Sequence, residues 1–85
     1  MPEHLGAHNP RIARARELLA KKGRDAQGRF LIEGPTMLAE ALAHGAPVES
    51  VFATAQAYED FGPLKHLDPQ TTPVYVVASQ VLAKL

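Results

Sequence analysis

Apolar residues along the chain recur with two alternating periods, and each change of period marks an element. After Asn9-Pro10, Ile12, Ala15 and Leu19 return at three- and four-residue spacing with Leu18 at the margin, while Arg14, Glu17 and Lys21 fall on the opposite side. That is the stripe of an amphipathic helix. Asn9 offers a side-chain acceptor to the free N–H groups of the first turn and Pro10 suits the first helical position, so the helix is predicted from Pro10 to about Lys22 and Gly23. Lys22 to Arg29 is polar and punctuated by Gly23 and Gly28, which predicts an exposed loop. Phe30-Leu31-Ile32 is a short apolar run between glycines, too short for a buried helix, and predicts a buried strand. Glu33-Gly34-Pro35 makes the structural turn that ends it, and Pro35 opens a second helix that buries Leu38, Ala41 and Leu42 and stops at Gly45.

The same alternation continues to the end. Val48 to Ala53 predicts a second strand with Val51-Phe52-Ala53 as its centre, and Thr54 is placed to cap a helix carrying Tyr58 and Phe61. Gly62-Pro63 breaks that helix, and a short turn with Leu64 and Leu67 follows before Asp68-Pro69. Pro73 to Val77 is a third strand, and Ser79 caps a last helix with Val81, Leu82 and Leu85 on its face. The order is α-β-α-β-α-β-α. Strands joined by crossover helices favour a mainly parallel sheet, here of three strands, in a small three-layer α/β/α sandwich. Residues 1–8, with Pro2, Gly6 and no apolar period, predict a flexible lead-in. The last helix lacks a terminal glycine or polar tail, so further polypeptide is expected after Leu85.

Composition narrows the chemistry. An 85-residue chain is one domain with a thin core, and without cysteine it has neither a disulfide framework nor a thiolate metal site. No signal peptide and no membrane-length apolar run is present, which reads as a soluble intracellular chain. His4 and His8 have a spacing that on a helix could chelate a metal, but Gly6 lies between them and no third ligand is near, so no metal is expected. Ser50 and Ser79 are in no nucleophile pattern, and no glycine-rich phosphate loop occurs, so no catalytic or cofactor site is expected within these residues. Glu33 reads as an anchor for a backbone N–H or for Arg29.

Net charge is zero, yet it is unevenly distributed. Residues 1–29 hold seven Lys and Arg against three carboxylates, a net of +4, and residues 30–85 hold two against six, a net of −4. Arg11, Arg14, Lys21, Lys22, Arg24 and Arg29 are the candidate phosphate-facing patch. Any one of them is explained by surface solubility; the cluster is the signal. Phe30 and Phe52 are expected to be buried, which removes the platform a single-strand binder stacks bases on and favours recognition of a polyanion by shape.

Asn9-Pro10, the basic Lys21-Lys22-Gly23-Arg24, Phe30-Leu31-Ile32-Glu33-Gly34-Pro35, Glu40-Ala41-Leu42, Val51-Phe52-Ala53-Thr54 and Ser79-Gln80-Val81-Leu82, in this order, resemble the N-terminal substrate-binding domain of the SpoU/TrmH RNA 2′-O-ribose methyltransferases. The resemblance implies an L30e-like α/β module over residues 9–85 that binds structured RNA, rRNA or tRNA. It also implies a following knotted methyltransferase domain using S-adenosylmethionine, a homodimeric cytoplasmic parent and no membrane partner. Thr36 stands where the family often has a basic residue, so the Gly34-Pro35 junction is not expected to grip a phosphate strongly. Two other readings remain open: a stand-alone L30e-like RNA-binding module, and a protein-interaction or regulatory domain that docks by its sheet edge.

Overall fold

Among the described residues, Val74, Tyr75 and Val76 form the one strand with a neighbour on each side, and all three are buried. The computed structural model describes residues 2–85. Its elements in chain order are β1 (Glu3–His4), α1 (Pro10–Glu17), α2 (Lys21–Gln27), α3 (Pro35–Ala43), β2 (Val51–Ala53), α4 (Ala55–Asp60), a 3₁₀ turn (Gly62–His66), β3 (Val74–Val76) and α5 (Ser79–Leu82). The sheet order is β1-β3-β2 and both pairings are parallel, with Glu3 opposite Tyr75 and Phe52 opposite the same residue from the other side. The mixed α/β architecture with a three-stranded parallel sheet therefore stands.

Strand alternation sends successive residues to opposite faces. Tyr75 and Val77 join Leu5, Ile12 and Val81 on one face, under α1 and α5, with Phe52 and Leu82 packed alongside. Val74, Val51 and Ala53 join Leu64 on the other, with Leu38, Tyr58 and Phe61 closing over them from α3, α4 and its C-terminal end. Two thin cores thus flank the sheet. Thr54 caps α4, its hydroxyl accepting from the Ala57 N–H at 3.1 Å, and Asn9 caps α1, accepting from the Arg11 N–H at 2.9 Å. Ser79 is not a cap: α5 begins from Ala78, with no side-chain bond.

Three sequence expectations are corrected. The lead-in supplies β1, because the free edge of β3 accepts it: the Leu5 N–H donates to Val76 C=O at 2.9 Å and the Leu5 side chain is buried. Two paired residues and one apolar anchor carry no readable period. Phe30-Leu31-Ile32 belongs to no strand and has no sheet partner; Phe30 is 74 % exposed and Ile32 36 %. The strand-turn-helix junction at Gly34 is therefore a coil entering α3, with Gly34 at φ +93° as the residue before the first helical position, taken by Pro35.

The third correction concerns the first helix. It stops at Glu17, Ala20 is extended, and the chain restarts as α2 through the residues expected to be a loop, ending at Gly28 in the left-handed region. The break turns Leu18 inward and leaves Leu19 54 % exposed, the reverse of what one continuous helix requires. Gly23 is what lets α2 seat against the end of α1, since a Cβ there would meet the Glu17 carbonyl oxygen at 1.9 Å. A methyl group at that point displaces main chain, which outweighs the helix propensity alanine gains. Gly23→Ala is therefore expected to destabilise the chain by about 1–2 kcal/mol in urea unfolding, where an exposed helical glycine would give a gain of similar size.

Candidate nucleic-acid interface

Of the six cations singled out by charge, Arg11, Arg14, Arg24 and Arg29 line one open groove, to which Val51, Phe52 and Ala53 of β2 also contribute. Arg11 and Arg14 are three residues apart on α1 and share the flank continued by Leu18. Arg16, two residues beyond Arg14 and about 200° around the axis, leaves that flank. Lys21 and Lys22, at the start of α2, are exposed and lie outside the groove lining.

The cations differ in what already holds them. The Arg11 guanidinium lies 5.1 Å from the centre of the Tyr75 ring, and Tyr75 in turn sits 5.6 Å from Phe52, so a core aromatic pair orients this charge from beneath. Arg24 Nη1 donates to the Leu18 and Leu19 carbonyls at 3.1 and 3.2 Å. These carbonyls follow the last turn of α1, and a cation there satisfies oxygens the helix cannot. Gln27 Nε2 adds bonds to the Arg14 carbonyl at 3.0 Å and to Glu17 at 3.1 Å. Together they clamp α2 onto α1. Lys21 is paired with Asp25 at 2.7 Å, and Arg29 is paired with Glu49. Arg14 and Lys22 have no side-chain hydrogen bond or ion pair among the described residues.

Arg29 thus finds its carboxylate in Glu49, just ahead of β2, and not in Glu33. Glu33 is exposed with no side-chain partner among the described residues. Both paired cations are exposed, and such pairs contribute about 0–1 kcal/mol, so a phosphate can replace either carboxylate at small cost. Phe30, expected in the core, instead stands in the groove wall beside Arg29, in an aliphatic lining that charge counting alone did not reveal. His4 lies in β1, ahead of a turn through Gly6, so it and His8 are not on a helix; no group of three metal-ligating side chains occurs among the described residues. No helix of the described residues is long and apolar enough to cross a membrane.

The α/β scaffold thus carries an open groove lined in part by arginines. Residues 9–85 match the MRM3-like substrate binding domain, and the chain belongs to that family of RNA methyltransferase substrate-binding domains of the SpoU type. It is also 35 % identical over 79 residues to a protein of Synechocystis sp. named as an uncharacterized tRNA/rRNA methyltransferase. That match takes in 91 % of this chain and 28 % of the relative. No solved structure matches the chain significantly.

Because Arg24 spends its guanidinium on two carbonyls while Lys22 touches nothing, the two should separate in stability. Arg24→Gln is expected to cost about 1–2 kcal/mol, and Arg24→Lys most of that, since a point charge does not reproduce a planar donor. Lys22→Gln should stay within about 0.5 kcal/mol; urea midpoints at constant slope are the measurement.

Proposed function

We propose that this domain holds structured rRNA or tRNA by its phosphates and presents it to a methyltransferase domain in the same polypeptide, a SpoU-type enzyme that methylates a ribose 2′-oxygen. One observation carries the reading: arginines drawn from α1, from α2 and from the segment after it line a single open groove. Contacts of this kind orient a nucleic acid and carry little sequence information, which suits a part that positions substrate and leaves the choice of nucleotide to the catalytic domain. Arg14 and Lys22 offer free charge, Arg11 is pre-oriented on Tyr75, and Arg29 exchanges Glu49 for a phosphate.

The methyl donor in this reading is S-adenosylmethionine, held by the following domain. The groove is not built for it: its lining mixes arginines with the carboxylates of Glu33, Glu49 and Asp60, and the chain has no glycine-rich loop to hold a nucleoside cofactor. The parent is assigned to the cytoplasm as a homodimer on the same family reading.

The test is a salt titration with a folded RNA. About three phosphate contacts to a single-stranded region should give a slope of log K against log salt of roughly −2. Arg14→Gln combined with Lys22→Gln should flatten it by about 1.4 while thermal stability is kept. Binding that ignores salt, or a slope unmoved by these substitutions, defeats the reading. A concentration-dependent mass without any RNA complex favours the docking alternative instead.

A further inference from the structure

Among the described residues the fold leaves four large apolar side chains exposed, and three of them, Leu19, Phe30 and Ile32, line the same groove as the arginines. The fourth, Met37, lies outside it. Phe30 is 74 % exposed, whereas the other aromatic side chains, Phe52, Tyr58, Phe61 and Tyr75, are buried or half-buried. The expected burial of Phe30 is what argued against a surface for stacking bases, and that burial does not occur.

The ring is also held in place. α2 closes at Gly28, whose N–H donates to the Arg24 carbonyl at 2.8 Å, and the next residue, Arg29, is tied to Glu49 ahead of β2. Phe30 is thus carried on main chain anchored by the two residues before it, so setting the ring against a ligand orders little else. Cations and apolar side chains in one groove ask for different parts of one ligand. Phosphates satisfy Arg14 and Arg29, and a flat ring satisfies Phe30 and Ile32. A duplex offers only the first, because its bases stack on one another inside the helix. An unpaired nucleotide offers both.

We infer that Phe30 is a base-stacking residue, taking the face of an unpaired nucleotide while the arginines of the groove hold the phosphates beside it. The inference rests on the proposed function for its ligand, and adds that the substrate RNA has an open nucleotide next to the segment gripped by its phosphates. Every base has a flat face to offer, so stacking on Phe30 selects an open nucleotide over a paired one without reading sequence.

Binding by the complete polypeptide tests it, with a hairpin RNA carrying a short oligoadenosine tail and the same hairpin with an abasic tail. The abasic tail keeps every phosphate, so the salt slope should hold while affinity falls about 5-fold or more. Phe30→Ser should lose the same factor on the adenosine tail and nothing further on the abasic one, and Phe30→Trp should keep the affinity. Its exposure predicts that Phe30→Ser leaves the thermal midpoint within about 2 °C. Equal, salt-dependent affinity for the two tails overturns the stacking and leaves the phosphate-holding role standing. Salt-independent binding of both defeats that role and the stacking with it. A larger fall in the midpoint means that the protein's own chain covers Phe30, and a concentration-dependent mass that Phe30→Ser abolishes means that a second copy does; each also overturns the inference.

Discussion

The pairing of β3 with a strand on each side is the constraint from which the rest follows. Val74 to Val77 are buried, with Val74 in one core and Tyr75 and Val77 in the other, so a shift of one residue in register would exchange the two sets of partners. Neither core is deep. Each consists of four or five buried side chains with partly covered neighbours, and among the described residues Ile12 alone is wholly sealed. With so little apolar area, the backbone bonds of β3 and the helix caps decide whether the layers stay in order.

The cations are placed by that same frame. Ile12 and Ala15 fix the roll of α1 against the sheet, and this sends Arg11 and Arg14 to the flank beside the groove. The sharp end of α1 then requires partners for its last carbonyls, and Arg24 supplies them from α2. Arg24 thus holds the two helices together as well as contributing charge. Gly23 permits the approach, and Gln27 closes it from the next turn. The position of the positive pole is consequently a result of packing, and changes inside the clamp move it as surely as changes to the charges themselves.

Much of this was legible in the sequence because caps and breakers act locally. Asn9-Pro10, Gly34-Pro35, Gly45 and Thr54 mark element ends through their own backbone and side-chain chemistry, and each does so in the structure. What escaped depends on distant partners. β1 exists because β3 has an edge to fill, and α2 is a helix because α1 offers carbonyls to Arg24 and Gln27; neither dependence has a period to read. Phe30-Leu31-Ile32 errs in the opposite direction. Its composition is that of a strand, but a strand needs a bonded neighbour, and none of the described residues provides one. The basic cluster was visible as charge, while its division into bound and free members was not, since Glu49 lies twenty residues from Arg29.

That division bears on what a holding domain can usefully do. A module that grips RNA equally before and after methylation lowers the concentration needed for binding but gives nothing to the chemical step, and excessive affinity slows release of product. Arg24 is spent on the fold, Lys21 and Arg29 must exchange a carboxylate, Arg11 rests on the Tyr75 ring, and Arg14 and Lys22 are the two of the six with none of these contacts among the described residues. Such a surface limits affinity while keeping the long-range field that attracts a polyanion, because exposed ion pairs screen that field only in part. In the proposed role, moderate and salt-sensitive binding is then the physically consistent design, with commitment to one nucleotide left to the catalytic domain.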